Sequence, residues 1–121
     1  MKKNISNVDY VFEMPKSMCV VWDVFYMIST NPNRAQLGRL FAALWGCMVT
    51  NHPSKPKYSL SDCDLLAYGG KMQEWLSVKK VSPIDVLTIG TELFQKMSEH
   101  IATEPEVEQA ENFSIDQSEE S

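Results

Sequence analysis

The sequence predicts an all-α fold: a compact bundle of about four helices, preceded by a short extended segment and followed by a disordered acidic tail. Apolar residues recur at steps of three and four in several segments, which is the spacing of one helix face. Helix start signals precede these segments, and the 121 residues suffice for one ordinary core. We therefore predict a helical body at residues 1–103 and a tail at residues 104–121.

The first 30 residues predict an extended segment and then a buried helix. Every second residue from Val8 to Met14 is apolar, a period of two that is typical of extended chain, and Pro15 ends it. Ser17 is a suitable N-cap for the run 18–28, which is apolar almost all round and favours a mostly buried helix. The β-branched and aromatic residues of this run leave a strand as the alternative.

The second helix has the clearest pattern. Asn31-Pro32 is a start signal, because Asn caps a helix and Pro at the first position gives up no hydrogen bond. The apolar residues that follow share one face: Leu37, Leu40, Phe41, Leu44, Trp45 and Met48. A second face carries only small residues and predicts the close approach of another helix; it comprises Gly38, Ala42, Ala43 and Gly46.

The third helix follows a loop whose two prolines exclude helical structure over residues 51–58. We interpret Ser59-Leu60-Ser61-Asp62 as a capping box with Asp at its fourth position. The apolar face of the helix then contains Leu65, Tyr68, Met72 and Trp75. Gly69-Gly70 interrupts the pattern, and each glycine costs about 1 kcal/mol relative to alanine in a helix interior, so we expect a kink or break there.

The fourth helix begins at Ser82-Pro83-Ile84-Asp85, which combines a cap, a proline and an acid near the positive helix end. We expect it to end near Thr103, because Pro105 follows. Its predicted inward face contains Ile84, Leu87, Phe94, Met97 and Ile101, with Leu93 beside it. Residues 104–121 contain seven acidic residues and only three large apolar ones, too little burial to offset the entropy of ordering.

The formal charge belongs mostly to the tail. The chain has 16 acidic and 11 basic residues, and removing the seven acids of the tail leaves the body with nine acidic and 11 basic residues, a net charge of +2. This is not the basic footprint that nucleic-acid binding requires. The longest apolar stretches have about ten residues, half of what spans a bilayer, and no signal peptide precedes them. We expect a cytosolic protein that binds neither nucleic acid nor membrane.

The residues that could support catalysis or metal binding do not form a recognisable pattern. Cys63 is flanked by two carboxylates that disfavour a thiolate, and His52 and His100 have no ligand at metal-binding spacing. The cysteines are widely separated, which supports neither a disulfide framework nor a zinc ribbon; they are Cys19, Cys47 and Cys63. We therefore expect no enzyme activity, no cofactor and no metal.

The seven methionines and twelve aromatic residues allow two interpretations. A Met-rich surface suits a chaperone that binds many related apolar segments. Alternatively the methionines fill gaps in a small helical core, since most of them lie on faces assigned inward: Met18, Met27, Met48, Met72 and Met97. The acidic tail is likewise either a solubilising terminus or a segment that engages a partner.

One stretch resembles a known family. Phe41-Ala42-Ala43-Leu44-Trp45, followed by Asn51-His52-Pro53-Ser54-Lys55 and Ser59-Leu60-Ser61-Asp62, resembles the tail assembly chaperones of lambda-like long-tailed bacteriophages. In that family an apolar helix with a Leu-Trp pair leads into an Asn-His-Pro loop with a lysine. A capped helix with a later tryptophan, here Trp75, and an acidic tail follow. The likeness covers residues 37–76 and the general layout.

The resemblance implies an all-helical protein that is not an enzyme. It implies that the chain binds the aggregation-prone tape measure protein in the host cytoplasm and is absent from the mature virion. In this family a longer product of programmed ribosomal frameshifting recruits the major tail protein. For the contact surface we predict the exposed remainder of the second and third helices, at Trp45, Met48, Met72 and Trp75.

The tail departs from the family in one respect that concerns the frameshift. In lambda the slip occurs at a Gly-Lys dipeptide near the end of the chain, and residues 104–121 contain no lysine. Glu111-Asn112-Phe113 can instead be encoded with the heptamer A-AAU-UUY, which suits a −1 slip. A slip at Val78-Lys79-Lys80 would sever the fourth helix, so we place any slippage at residues 111–113 or nearby.

A second function class stays open from the sequence alone. A small helical regulatory adaptor could bind a host or phage protein through its acidic tail. Deletion of residues 104–121 separates the two hypotheses, because the adaptor would lose its partner whereas a chaperone body would still bind tape measure segments.

Overall fold

The computed structural model describes residues 1–31, 34–59 and 64–103. Within these residues a two-stranded hairpin precedes four helices, which confirms the predicted all-α class. The elements are β1 (Lys2–Ile5), β2 (Val8–Val11), α1 (Met18–Thr30), α2 (Leu37–Met48), α3 (Leu65–Val78) and α4 (Pro83–Thr103), with a 3₁₀ turn at Arg34–Gln36 before α2. The tail predicted to be disordered, residues 104–121, lies outside the described residues.

Helix α2 occupies the centre of the body and packs against α1, α3 and α4. Its predicted inward face is buried at Leu40, Leu44, Trp45 and Met48, and buried side chains from the other helices and from β2 surround it. The indole N–H of Trp45 donates a hydrogen bond to the carbonyl of Val86 at 3.1 Å, which fixes α4 against α2. Among the helices of the described residues, none has the length and apolar character needed to cross a bilayer.

The hairpin was only half predicted, because the alternation identifies β2 and not β1. The strands are antiparallel, with Ile5 opposite Val8, and are joined by Ser6 and Asn7, whose φ angles are 52° and 64°. Positive φ at both central residues is typical of a type I′ turn, whose twist matches that of the flanking strands. Asn is a usual residue of this turn, so Ser6-Asn7 is the sequence signal for β1.

Helix α1 begins where predicted but is less buried than predicted. The hydroxyl of Ser17 accepts a hydrogen bond from the N–H of Val20 at 3.4 Å, the expected N-cap. The residues that face the core are Val21, Val24 and Ile28. Trp22 and Tyr26 lie on the opposite side and are exposed, because α1 packs at the edge of the bundle against α2 and α4 and leaves one face to solvent.

Two helix starts differ from the prediction. Asn31 ends α1 instead of capping α2, and its amide donates to Gln36 Oε1 at 2.9 Å across the connection, which includes the 3₁₀ turn. Pro32 lies outside the described residues. Helix α3 begins at Leu65, where the Asp64 carboxylate accepts the N–H of Ala67 at 3.0 Å. Of the predicted capping box Ser59-Leu60-Ser61-Asp62, residues 60–62 are also outside the described residues.

The small-residue face of α2 meets α3, as predicted. A Cβ added to Gly46 would lie 2.8 Å from the Met72 side chain, so the two helices approach too closely for anything larger. We expected a kink or break at Gly69-Gly70; a break there is wrong, because α3 continues through both residues. A Cβ on Gly69 would overlap the backbone carbonyl of Arg39, and the close packing that glycine permits offsets its low helix propensity.

Helix α4 begins and ends as predicted, but its inward face is rotated at its first turns. Its core-facing residues are Val86, Ile89, Leu93, Met97 and Ile101. Ile84 and Leu87 were predicted inward and are exposed, so that part of the prediction is wrong. The bond from Trp45 to Val86 and the contact of Phe41 with Gly90 set which side of α4 meets α2.

Candidate partner-binding surfaces

The residues predicted to form the contact surface are mostly in the core. Trp45 and Met72 are fully buried and Met48 is 2 % exposed, so the expectation of an exposed surface at these three positions is wrong. They lie on the inward faces of α2 and α3, which the close contact of the two helices covers. Trp75 is half-buried. The interpretation of the methionines as core residues is confirmed: Met18, Met27, Met48, Met72 and Met97 all lie in or against the core.

Five rings from the hairpin, α2, α3 and the loop after α2 form one cluster, which we call the tryptophan cluster. Its members are Tyr10, Phe12, Trp45, His52 and Trp75. Ring centroids of Phe12 and Trp45 are 5.1 Å apart, those of Tyr10 and Trp45 are 5.5 Å apart, and both pairs meet edge to face. The His52 ring lies between Tyr10, at 4.7 Å, and Trp75, at 5.8 Å. Edge-to-face contacts of this kind stabilise packing beyond the area they bury.

The Asn-His pair of the loop acts on the backbone of β2. The side-chain amide of Asn51 donates to the carbonyl of Asp9 and its oxygen accepts the N–H of Val11, both at 3.0 Å. His52 Nε2 donates to the same Asp9 carbonyl at 2.7 Å, so this nitrogen carries the hydrogen. These bonds satisfy the free edge of the hairpin, which gives the Asn-His pair a structural role.

The lysine of the same loop caps α2. The Lys55 ammonium donates to the carbonyl of Gly46, one of the last carbonyls of α2, where a positive charge also complements the helix dipole. Desolvation lowers the pKa of Lys55. Lys55 lies with two other lysines at a cavity of about 380 Å³, which we call the basic pocket, lined by Pro15, Lys16, Ser17, Val20, Gly46, Cys47, Lys55, Lys57 and Tyr58.

Three exposed apolar side chains lie at the end of α3 and in the first turns of α4. Val78 is 77 % exposed, Ile84 is 73 % exposed and Leu87 is 41 % exposed; we call these three residues the apolar corner. Beside it, a cavity of about 180 Å³ opens between α2, α3 and α4. We call this cavity the corner groove; its lining consists of Gly38, Gln73, Leu76, Ser77, Val81, Pro83, Val86 and Leu87.

Sequence reasoning missed the apolar corner for identifiable reasons. Val78 was not assigned to any face, and Ile84 and Leu87 fit a spacing of three and four that is equally satisfied by the true inward face. The signal that separates the two faces is Gly90, a small residue that accommodates the Phe41 ring. Placing Gly90 inward also places Val86 and Ile89 inward and turns Ile84 outward.

The titratable groups of the interior show no arrangement for catalysis among the described residues. Burial raises the pKa of Cys47 to about 12, which keeps its thiol protonated at neutral pH. The Tyr10 hydroxyl is buried without a hydrogen-bond partner in the described part of the chain, and burial raises its pKa. No three His, Cys, Asp or Glu side chains converge as metal ligands within residues 1–31, 34–59 and 64–103. Cys63 lies outside these ranges.

No protein-family model, curated protein or solved structure matches this chain. The candidate contact surface is therefore defined by exposure and shape. The apolar corner and the corner groove meet both conditions, because they combine three exposed aliphatic side chains with a concave apolar wall. The exposed pair Trp22 and Tyr26 on α1 is a second apolar surface.

Proposed function

We propose that this chain is a tail assembly chaperone of a long-tailed bacteriophage. It binds helical apolar segments of the tape measure protein during tail morphogenesis, keeps that protein soluble, and has no catalytic role. The all-helical body and the likeness of residues 37–76 to the family support this proposal. The observation that carries it is the apolar corner with its adjoining groove, which together combine exposed aliphatic side chains with a concave apolar wall.

The geometry of the corner suits a helical partner. An amphipathic helix presents apolar side chains at steps of three, four and seven, and binds by laying them into an apolar groove. Val78 and Leu87 lie on different helices at either end of the α3–α4 turn, and the groove wall between these helices is aliphatic. Flexible, aliphatic contacts of this kind accept many related segments, as a chaperone for a long helical protein requires.

The residues that carry the family resemblance contribute indirectly. Trp45 holds α4 against α2 through Val86, which itself lines the corner groove. Lys55 caps α2, and Asn51 holds the hairpin against the loop. These residues shape the body on which the corner is presented, so their recurrence in a family of chaperones fits a structural requirement.

The proposal extends to the life cycle of the protein. The chaperone acts in the host cytoplasm and is absent from the mature virion, and a longer frameshift product recruits the major tail protein. The nucleotide sequence tests the frameshift directly. Codons for residues 111–113 that interrupt the slippery heptamer, or the lack of an overlapping downstream frame, would remove this part of the proposal.

Co-expression with the tape measure product of the same genome tests the central claim. The wild-type chain is expected to copurify with it and to raise its soluble fraction. The double variant Ile84→Ser and Leu87→Ser is expected to lose at least tenfold in copurified partner, because both side chains are exposed at the corner and Leu87 also lines the groove. Tyr26→Ser is the matched control, since Tyr26 is 63 % exposed on α1.

The outcomes separate the hypotheses. Failure of the wild-type chain to bind or solubilise the tape measure product contradicts the proposal. Equal loss of binding in the Tyr26 control and the corner variant moves the contact surface away from the corner. Loss of binding on deletion of residues 104–121 supports the regulatory adaptor instead, because the chaperone body is expected to retain its partner without the tail.

A further inference from the structure

The corner groove has room for one aromatic ring. Its volume is about 180 Å³, and an apolar protein cavity of about 150 Å³ holds benzene. Its walls are mainly aliphatic, with Leu76, Val81 and Val86 at less than 9 % exposure and Leu87 at the rim. An aromatic side chain entering this space would displace water from apolar surface, which is the main driving force for association.

Two lysines lie in the turn that joins two helices of this groove, and neither of them is part of its lining. Lys79 and Lys80 form the turn between α3 and α4, in sequence between groove residues Ser77 and Val81. Lys80 is exposed, and Lys79 is half-buried with its ammonium 5.6 Å from the Trp75 ring centroid. An occupant with an apolar centre and acidic flanks would therefore satisfy both the groove and its edge.

The tail of this chain contains one segment of that composition. Phe113 and Ile115 are separated by one residue, so an extended chain places both on the same side. Glu111 and Asp116 flank them, and residues 104–121 contain no positive charge. Phe113 is the only aromatic residue of the tail.

The covalent connection permits this segment to reach the groove. Helix α4 carries Val86 near its start and Thr103 at its end. A rise of 1.5 Å per residue separates these two residues by about 25 Å along the helix axis. The ten residues from Thr103 to Phe113 span up to about 33 Å when extended. The chain is therefore long enough for Phe113 to reach back along α4 to the groove, whereas the segment from Thr103 to Val107 spans only about 13 Å and is too short.

The basic pocket is the competing site for an acidic segment. Its three lysines are Lys16, Lys55 and Lys57, but Lys55 already donates to the carbonyl of Gly46. The basic pocket offers only positive charge to the tail. The corner groove offers an apolar cavity for Phe113 and Ile115 as well as the lysines of the adjacent turn. The groove is therefore the better match for residues 111–116.

We propose that residues 111–116 of this chain dock in the corner groove, with Phe113 in its cavity and the acidic flanks beside Lys79 and Lys80. The docked segment covers the groove before a partner arrives, and a partner that uses the corner must displace it. A frameshift at residues 111–113 would replace Ile115 and the acidic residues after it. The longer product would then lack part of the docking segment, and its groove would be occupied less of the time. Docking is a property of the chain alone and does not depend on the identity of the partner.

Photo-crosslinking of the purified full chain tests the proposal. We would install p-benzoylphenylalanine at position 113 and map the crosslinks by mass spectrometry. The expected crosslinks join position 113 to residues 73–87 within one chain, and 0.5 M salt reduces their yield because it screens the lysine contacts. The same probe at position 107 is the matched control and is expected to give at least fivefold fewer crosslinks to residues 73–87.

Other crosslinking patterns would overturn the proposal. Crosslinks from position 113 to residues 15–20 or 46–58 would place the segment in the basic pocket. Crosslinks found only between two chains, or only within the tail, would show that the groove is not occupied in cis. A second measurement removes dependence on the probe: in ¹⁵N spectra of the full chain, Phe113→Ser should shift the amides of Val86 and Leu87, whereas Val107→Ser should not.

Failure of this test and failure of the proposed function are distinguishable. Crosslinking and spectra use the protein without any partner, whereas chaperone activity is measured with the tape measure product. If the segment docks and the corner is also the partner site, deletion of residues 104–121 should raise the affinity for the partner. Unchanged affinity in a chain that gives the expected crosslinks would separate the docking site from the partner site.

Discussion

The tryptophan cluster and the apolar corner are both apolar, yet they differ in exposure, residue type and role. The cluster joins the hairpin, α2, α3 and the loop after α2 through ring contacts of 4.7–6.4 Å. The corner consists of three aliphatic side chains that make no such network and face solvent. The residues with the most distinctive sequence patterns thus build the interior, whereas the best candidate for binding consists of ordinary residues whose exposure only the fold reveals.

The residues that carry the resemblance of residues 37–76 serve the packing of the body and not its apolar corner. Trp45 and the pair Asn51-His52 each satisfy a specific backbone group, so few other residues could replace them. A docking surface for varied apolar segments has no such requirement, because any exposed aliphatic residue of similar size serves. A motif is therefore a stronger guide to fold than to contact surface in this chain.

The largest expected effect contrasts the two regions by a pair of substitutions. Trp45→Ala should lower the free energy of unfolding by about 3–5 kcal/mol, because it opens a cavity in the core and leaves the Val86 carbonyl without its donor. Ile84→Ser should change it by less than about 0.5 kcal/mol, since that side chain is 73 % exposed. Urea unfolding followed by circular dichroism measures both. A loss above 2 kcal/mol for Ile84→Ser would show that the corner belongs to the core.

Most of the fold follows from the sequence because each helix carries its own periodicity and start signal. Helix α4 was predicted from Ser82-Pro83 to Thr103, and the inward face of α2 was predicted almost completely. The errors arise where contact with a neighbouring helix determines the continuity or the rotation of a helix. The continuity of α3 depends on the Arg39 backbone beside Gly69, and the rotation of α4 depends on Trp45 and Phe41.

The candidate site was predicted less well than the fold for the same reason. The contact surface was predicted from tryptophan and methionine residues, which are common at binding sites. Whether such a residue is buried depends on the assembled bundle and not on its type. Of the four predicted contact residues, only Trp75 is not fully buried, and its ring contacts that of His52 in the cluster. The phase of a helix relative to its neighbours is a tertiary property, so Ile84 and Leu87 could be placed outward only from the structure.

A smaller effect tests whether contact with α2 keeps α3 continuous. Gly69→Ala should lower the free energy of unfolding by about 1–3 kcal/mol, because the added Cβ overlaps the Arg39 carbonyl and forces α2 and α3 apart. Gly70→Ala is its matched control: a Cβ there meets no atom within 4 Å, so the substitution should raise stability by about 0.5–1 kcal/mol. Thermal and urea unfolding give both values. If both substitutions changed the free energy of unfolding in the same direction, the close approach of α2 and α3 at Gly69 would be contradicted.

The smallest expected effect is a pH dependence of stability that arises from Cys47. It reports how completely water is excluded from the last turn of α2, beside the tryptophan cluster. Desolvation raises the pKa of Cys47 from 9.0 to about 12, with the Lys55 ammonium opposing and the Asp23 carboxylate assisting this shift. The raised pKa means that the folded state keeps the proton between pH 9 and pH 12 while the unfolded chain releases it. Stability from this group is therefore complete below pH 9 and is lost as the pH rises, on the order of 1 kcal/mol between pH 8 and pH 10.

Substitution of the two described cysteines isolates this contribution. Cys47→Ala should remove about 1 kcal/mol of the stability loss between pH 8 and pH 10, measured by urea unfolding under reducing conditions. Cys19→Ala is the matched control, because it removes an exposed thiol from α1 and leaves the last turn of α2 intact. If both variants retain the full loss, the Cys47 thiol is hydrated, and the last turn of α2 is as open to water as the apolar corner.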